Sequence, residues 1–258
     1  MICLDIEYLH EYLPDRLIGS NLFHFGILSS TMDKIREFTD GDYPEGLVVV
    51  ARDQTDGRGR FDRRWISSSG NSLMFSVLLM PTADQLPYIN MAAALSVVKA
   101  IEPYTSGKPS IKWPNDIRLR GKKFAGILIE TDSTADKLMY AVVGIGVNLD
   151  LDVSRYSEIS STATNINSNT DREMDSTTII GSILTNLDRL YKEVKAGRSL
   201  TNQWANYLDT LGQNVLVRRG STVFQGLARH VDKYGNLTVD LADGTSIVVT
   251  GGEVTFQG

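Results

Sequence analysis

Residues 54–65 read Gln-Thr-Asp-Gly-Arg-Gly-Arg-Phe-Asp-Arg-Arg-Trp and follow an almost wholly apolar run at 46–52. Such a run is typical of a strand that is covered on both faces of its sheet. Gly57 and Gly59 let the backbone turn sharply and approach a ligand closely. Guanidinium groups that match carboxylate or phosphate oxygens are supplied by Arg58, Arg60, Arg63 and Arg64. The stretch therefore predicts a buried strand that ends in either an anion-binding loop or a solvated basic turn.

The composition is that of an ordinary globular protein. The chain has 258 residues, of which 42% are hydrophobic and 22% charged, and its formal net charge is −5. This length can form one large domain with a small appendage. The acidic balance argues against a general nucleic-acid coat protein, because phosphate neutralisation drives that kind of binding.

Several features predict a cytoplasmic protein with no membrane span. The longest apolar run, Leu73 to Met80, is too short to cross a bilayer. Residues 1–10 lack the basic start and long apolar stretch of a secretory signal. Cys3 is the one cysteine, which excludes an internal disulfide and fits a reducing compartment.

The apolar and turn patterns predict a mixed α/β domain with a β-rich end. Residues 1–20 leave room for a helical turn or two. Strands are expected at 22–28, 46–52, 72–80, 117–119, 124–130 and 138–148. Helices are expected through residue 38, at 88–102, at 176–195 with Ser176 as its cap, and on to 211. From Gly212 the hydrophobic period changes to two, so the expected domains are 1–211 and 212–258.

Two polar segments allow both a structural and a functional interpretation. The hydroxyls of Ser29, Ser30 and Thr31 precede a helix, where they can cap exposed N–H groups or also meet a polar ligand. Residues 40–45 form a turn-rich link. In 112–116, Lys-Trp-Pro-Asn-Asp, the proline rigidifies a turn that directs an amide and a carboxylate from adjacent positions, although a simple β-turn with a packed tryptophan is the alternative.

Three strand glycines are candidates for a ligand-binding surface. Gly126, Gly144 and Gly146 leave bare backbone where side chains would normally stand. Structural bulges are one explanation for them. The other is a floor under a planar or narrow molecule.

Four motifs, in this order along most of the chain, resemble those of biotin–protein ligases. They are Gln54-x-x-Gly57-Arg58-Gly59-Arg60, Lys112-Trp113-Pro114-Asn115-Asp116, Lys123-x-x-Gly126-Ile127-Leu128 and Gly144-Ile145-Gly146-Val147-Asn148. Each is weak to moderate alone, but the ordered set is specific. The resemblance implies an α/β (α+β) fold with a mixed-sheet catalytic domain and a small C-terminal SH3-like β-barrel. It also implies that biotin is activated by ATP to biotinyl-5′-adenylate and passed to one lysine of a carrier domain in a biotin-dependent carboxylase.

The resemblance also implies roles for individual residues. Lys123 and Arg58 are the expected catalytic residues. Biotin binding is expected at Ser30, Thr31, Met32, Gln54, Gly57, Arg58, Gly59, Arg60, Trp65, Lys123, Gly126 and Gly144. ATP binding is expected at Arg60, Arg63, Lys112, Asn115, Asp116, Lys123 and Asn148, with a magnesium ion at Asp116. A segment at 162–165 resembles one beside the adenine.

The expected co-substrate is ATP with Mg²⁺, biotin is the substrate, and no tightly bound prosthetic group is expected. The protein partner is the carrier domain, and relatives include monomers and homodimers. Because the catalytic sheet begins almost at once, where dual-function members carry a DNA-reading domain, we expect no sequence-specific DNA binding. Relatives often place an arginine near the C-terminus where this chain has Gln257.

Two other functions remain open from the sequence. A lipoate–protein ligase or octanoyltransferase shares the fold, but its thioester-forming version needs a cysteine nucleophile and Cys3 lies outside every motif. A nucleic-acid-binding module could use the arginine-rich loop, although net acidity and the lack of aromatic stacking motifs oppose it. Because two glycines raise its backbone entropy and four arginines repel one another, we expect the empty loop to be mobile and ligands to order it.

Overall fold

The computed structural model describes residues 4–13, 15–39, 44–68, 70–135, 137–170, 173–219 and 222–256. Cys3 and Gln257, which entered the sequence predictions, lie outside these ranges, as do residues 40–43 of the turn-rich link.

Seven strands form one mixed sheet in the order β1-β2-β3-β7-β6-β5-β4. Their bounds are β1 Leu22–Leu28, β2 Val48–Gln54, β3 Ser72–Leu79, β4 Ser110–Lys112, β5 Asp116–Leu119, β6 Lys122–Ser133 and β7 Leu138–Asn148. The β1 and β2 strands are parallel, and every other neighbouring pair is antiparallel. The predicted mixed sheet is confirmed, and β1 and β7 have the predicted bounds.

Within the described ranges, five α-helices accompany the sheet. They are α1 Ile6–Tyr12, α2 Thr31–Thr39, α3 Leu86–Ile101, α4 Ser176–Lys195 and α5 Thr201–Ala205. The third begins earlier than predicted because Pro87, in its first turn, suits that position. A short 3-10 helix, Glu102–Tyr104, follows it.

Strand β2, second from one edge of the sheet, is buried on both faces from Val48 to Ala51, as its continuous apolar sequence predicted. Val48 and Val50 belong to the main hydrophobic core, which also contains the apolar faces of α3 and α4. Leu47 and Val49 belong to a smaller core on the other face, where Ile35 of α2 covers the sheet. Burial on two faces fixes the end of β2, and therefore the start of the loop that follows it.

Two helix predictions were wrong in detail. The side chain of Asp175, not Ser176, caps α4 by accepting a hydrogen bond from the Thr178 backbone N–H. The helix predicted to reach residue 211 ends at Ala205. Beyond it the chain pairs with β4, where the Ile111 N–H donates to the carbonyl of Tyr207 at 2.7 Å. That pairing satisfies backbone groups that a longer helix would otherwise need.

The C-terminal strands form a second, antiparallel sheet in the order β11-β10-β9-β8-β12, which confirms the predicted all-β end of the chain. Their bounds are β8 Asn214–Arg219, β9 Thr222–Val231, β10 Leu237–Leu241, β11 Ser246–Val249 and β12 Glu253–Phe256. The domain boundary at 211/212 stays a prediction. Among the described residues, no helix combines the length and apolarity needed to cross a membrane.

Candidate active site

A network of short polar side chains lies where β2 ends and α2 begins. The Gln54 Oε1 atom accepts hydrogen bonds from the Thr31 backbone N–H at 2.7 Å and from its hydroxyl at 3.0 Å. The Thr31 hydroxyl also lies 2.8 Å from the hydroxyl of Ser76, which is buried in β3. Because a backbone N–H can only donate, Oε1 must face Thr31, and the amide nitrogen of Gln54 is directed elsewhere. The Ser30 hydroxyl accepts from the Met32 N–H at 3.2 Å, which confirms the predicted cap.

The loop after β2 is a small hairpin, which we call the arginine hairpin (residues 57–65). Its stem is held by the Trp65 N–H donating to the Gly57 carbonyl at 2.9 Å and by the Gly59 N–H donating to the Arg63 carbonyl at 2.7 Å. Its tip turns through Phe61 and Asp62, whose φ angles are 58° and 57°. The loop therefore has an ordered backbone pairing that the sequence did not predict.

At the stem, Arg58 is held by two carboxylates. Its guanidinium group donates to Asp33 at 2.7 and 3.0 Å and to Glu130 at 2.9 and 3.0 Å. Arg36 contacts both acids as well. Hydrogen bonds from Arg58 lower the pKa of Asp33 and of Glu130, and the same bonds raise the pKa of Arg58.

At the tip, two further arginines contact the C-terminal sheet. Arg60 donates to the Asn115 Oδ1 atom at 3.1 Å and to the Gly252 carbonyl at 3.2 Å, and burial lowers its pKa. Arg63 forms an ion pair with Glu253. The nearby positive charge of Arg63 lowers the pKa of Arg60 further, so the predicted repulsion persists between these two arginines. Oxygen atoms on neighbouring elements compensate three of the four arginines, and the mobility of the empty loop stays a prediction.

Lys123 lies at the start of β6, beside a bulge in its pairing with β5. Its Nζ atom is 2.6 Å from Oδ1 of Asp116 and 5.3 Å from the centre of the Trp65 ring. Its backbone pairs with the polar segment that was predicted to lie beside adenine: the Lys123 N–H donates to the Thr162 carbonyl at 2.9 Å. The lysine is therefore held by an acid, an aromatic ring and a third backbone segment.

The three strand glycines lie next to one another, and side chains of this protein rest on them. Gly126 is paired with Gly146 across β6 and β7. A Cβ atom at Gly146 would lie 2.5 Å from Cε2 of Trp65, and one at Gly144 would lie 2.7 Å from the sulfur of Met32. Since real Cβ atoms do not approach so closely, a side chain at Gly146 would have to displace the indole, whereas one at Gly144 would require only that the flexible Met32 side chain shifts. The Trp65 indole lies against Gly146, and the use of these glycines as a floor for a ligand stays a prediction.

The remaining predicted nucleotide residues lie on the adjoining wall. The Asn115 amide donates to the Ile127 carbonyl at 2.6 Å. The Asn148 amide donates to the Thr164 carbonyl at 3.1 Å, while its buried Oδ1 atom has no partner among the described residues. Burial lowers the pKa of Lys112, whose Nζ atom lies 5.5 Å from the centre of the Phe256 ring. The Trp113–Pro114 peptide bond in this motif is cis.

One cavity of about 1090 Å³ brings these residues together. Every predicted site residue lines it except Gly57, which lies behind Gln54 and Trp65 in the stem. The C-terminal strand also contributes to the wall, from Gly252 to Phe256. Asp33 and Glu130 could not be predicted from the sequence, because an acid in a helix and another in a strand give no indication that they contact the same arginine.

The chain matches two protein-family models. Residues 25–148 match the biotin/lipoate A/B protein ligase family, and residues 210–256 match the biotin protein ligase C-terminal domain. It is 31% identical over 237 residues to the bifunctional ligase/repressor BirA of Bacillus subtilis, covering 90% of this chain and 73% of that protein. It is 28% identical to the biotin–[acetyl-CoA-carboxylase] ligase of Mycobacterium tuberculosis, covering 94% of this chain and 93% of the relative.

A solved structure agrees with these relatives. The biotin protein ligase of Aquifex aeolicus in complex with biotin and ATP superposes with a TM-score of 0.77 at 27% identity, covering 92% of this chain and 98% of that one. The fold, the ordered motifs and these similarities lead to one conclusion. The chain belongs to the biotin protein ligase family.

Proposed function

We propose that this enzyme joins biotin to ATP to form biotinyl-5′-adenylate and pyrophosphate, and then transfers biotin to one lysine of a carboxylase carrier domain. The observation that carries the proposal is the two-ended cavity. One end holds the uncharged Thr31 and Gln54 network, and the other holds Arg60, Lys112 and Lys123. Biotin has an uncharged polar head and a carboxylate tail, so it matches the order of these ends.

The uncharged end is suited to the ureido head of biotin. Ser30, Thr31 and Gln54 supply donors and acceptors on a fixed framework, so little side-chain freedom is lost on binding. The indole of Trp65 and the thioether of Met32 form apolar walls above the glycines. We assign the biotin ring to this part of the cavity.

The charged end is suited to adenylation. A carboxylate oxygen of biotin attacks the α-phosphorus of ATP, the bond to the β-phosphate breaks, and pyrophosphate leaves. Two anions must approach each other in this step. Lys123, held at 2.6 Å from Asp116, is the cation that offsets their repulsion, and Arg60 and Arg63 donate to phosphate oxygens at the hairpin tip.

The donor set at the charged end is compatible with magnesium carried by the nucleotide. Magnesium is commonly held by one or two protein oxygens together with phosphates and water, so it needs no dedicated cluster of acids. The described residues contain no group of three metal-binding His, Cys, Asp or Glu side chains. Asp116 and the unpartnered Oδ1 atom of Asn148 are the oxygens we assign to it. When bound, the ion would neutralise phosphate charge.

Transfer requires that the adenylate survives until the acceptor arrives. The neutral lysine amine attacks the carbonyl carbon of the mixed anhydride, the bond to the phosphate oxygen breaks, and AMP leaves as the amine loses a proton. Residues of the arginine hairpin line the cavity, so closure of the hairpin over bound ligand would limit access of water to the anhydride. We also propose a cytoplasmic location, on the basis of the single cysteine.

Pyrophosphate release from ATP tests the proposal against its alternatives. The purified enzyme is given biotin, lipoate or neither, and a biotin carboxyl carrier domain is then added. We expect release with biotin, and streptavidin-detectable modification of the carrier that is lost when its target lysine is replaced by arginine. Release that depends on lipoate and is indifferent to biotin would contradict the assignment, and so would no release with either acid.

A further inference from the structure

We propose that Arg58 is a positioning residue, which clamps the stem of the arginine hairpin to the catalytic sheet so that the hairpin opens from its tip. The inference rests on the proposed function for its catalytic consequence, but the clamp itself can be tested on the free protein. It assigns to Arg58 a role that acts through Arg60 and Trp65, in place of direct catalysis.

The hydrogen bonds of Arg58 leave it little capacity for a ligand. Four of them, between 2.7 and 3.0 Å, reach both oxygens of Asp33 and both oxygens of Glu130. Bidentate contacts of this kind are the strongest that a guanidinium group makes with carboxylates. The two acids belong to different rigid elements, helix α2 and strand β6. Arg58 therefore fixes one end of the hairpin to two parts of the domain at once.

The charge of the clamp is also balanced. Arg36 and Arg58 face two carboxylates, so this cluster carries no net charge for an incoming anion to pair with. Arg60 differs, because the acceptors it contacts are the uncharged oxygens of Asn115 and Gly252. Of Arg58 and Arg60, the one available to an anionic ligand is thus Arg60, two residues beyond the clamp.

The hairpin stem connects the clamp at Arg58 to residues that line the cavity. Arg58 is bridged to Arg64 across the hairpin, and the neighbouring Trp65 N–H donates to the Gly57 carbonyl at 2.9 Å. Fixing Arg58 therefore fixes the backbone that carries the Trp65 indole over the glycines. It also sets the direction in which Arg60 leaves the stem.

The tip is held less firmly than the stem. Its ion pair joins Arg63, with 61% of its side chain exposed, to Glu253, with 34% exposed. Of the clamp side chains, Arg58 and Glu130 are only 27% and 25% exposed, and Asp33 is 40% exposed. Exposed ion pairs contribute little to stability, whereas several charge-assisted hydrogen bonds act together in the clamp. The contacts at the tip are therefore expected to break first.

Limited trypsin digestion with mass spectrometry tests the clamp in the free protein. Cleavage after residue 58 requires the Arg58 side chain to leave the clamp and enter the protease. We expect the Arg58–Gly59 bond, and the Arg64–Trp65 bond opposite it in the stem, to resist cleavage while the bond after Arg63 is cut. In the Asp33→Asn/Glu130→Gln variant, cleavage after Arg58 should rise on the order of tenfold or more.

Two comparisons separate clamp release from a general loss of structure. Glu37→Gln removes an exposed ion pair on the same helix and should leave the cleavage pattern unchanged. Arg58→Lys keeps the charge and the protease site but not the four bonds, and it should be cut faster after residue 58 than the wild type. The proposal is overturned if wild-type Arg58 is cut as fast as Arg63, or if the double variant matches the wild type.

Adenylation kinetics distinguish positioning from direct catalysis by Arg58. If Arg58 acts through the hairpin, the Asp33→Asn/Glu130→Gln variant should raise the KM for biotin as much as Arg58→Ala does, and the triple variant should be no worse. If Arg58 contacted the reacting groups, freeing it from its acids would leave the KM unchanged or lower it, and the proposal would be wrong. If the wild-type protein shows no biotin-dependent adenylation while its tryptic cleavage follows the expected pattern, the proposed function is refuted and the clamp is not.

Discussion

Replacement of Lys123 by alanine should leave the fold nearly intact and slow adenylate formation on the order of a hundredfold or more. The lost ion pair with Asp116 spans 2.6 Å, but its side chains are 34% and 28% exposed. A pair of that exposure contributes about 0.2–1 kcal/mol. The contact with Trp65, at 5.3 Å from the ring centre, adds about 0.5–1 kcal/mol. The summed loss of about 0.7–2 kcal/mol is small beside the several kcal/mol that stabilise a native domain.

The catalytic loss is larger because the ammonium group acts where negative charge is concentrated. A hundredfold slower step corresponds to about 2.7 kcal/mol of transition-state stabilisation. Single-turnover formation of biotinyl adenylate from labelled ATP measures the rate, and thermal unfolding followed by circular dichroism measures the stability. Lys122→Ala is the matched control, since this neighbouring lysine is exposed and lies outside the cavity lining. Near-normal single-turnover adenylation by Lys123→Ala would refute the role of its cation.

Three further outcomes are expected. Gly146→Ala would place a Cβ atom 2.5 Å from the Trp65 ring, so the KM for biotin should rise on the order of tenfold while the KM for ATP changes little; equal changes in both would contradict the packing argument. Arginine hydrogen bonds lower the pKa of Asp33 and Glu130, so the stability they supply is present above their ordinary values of 3.8 and 4.5 and is lost as the pH falls through the lowered values. Urea unfolding at a series of pH values should therefore show a steeper acid loss in the wild type than in the Asp33→Asn/Glu130→Gln variant, and parallel curves would exclude this linkage. Biotin with ATP should suppress tryptic cleavage after Arg63, and unchanged cutting would show that the hairpin tip does not close over ligand.

The sequence was sufficient to predict the sheet because its patterns are local. A continuous apolar run such as 46–52 can be satisfied only by burial on both faces, and the structure gives Val48 and Val49 to opposite cores. The residues of the candidate site could be predicted from the sequence for the same reason. Each motif sits at the end of a strand, so the order of the strands brings the motifs to one cavity.

The sequence was insufficient where partners are distant and carry no motif. Glu130 is 72 positions from Arg58, and Asp33 is 25 positions away. An acid at either position is equally consistent with a solvated surface. Considered alone, the arginines of the loop therefore predicted repulsion, while the folded chain supplies carboxylate, amide and carbonyl oxygens that contact Arg58, Arg60 and Arg63. The prediction of a helix that reaches residue 211 was wrong for a similar reason. Only in the folded sheet does β4 lie beside the segment after Ala205 and pair with it.

The strand glycines of β6 and β7 and the arginine hairpin form one structural unit. Gly126 and Gly146 are paired, and the indole that rests on them comes from the end of the hairpin stem, while Arg60 extends from its tip toward Asn115. A ligand with an apolar ring and an anionic tail would therefore contact both ends of the same nine-residue element. Ordering of one end lowers the entropic cost of ordering the other. The glycines that the sequence predicted as a surface for a flat ligand thus support the Trp65 ring in this structure. A flat ligand must therefore bind against that ring or displace it. We infer that the position of the ring depends on the clamp at Arg58.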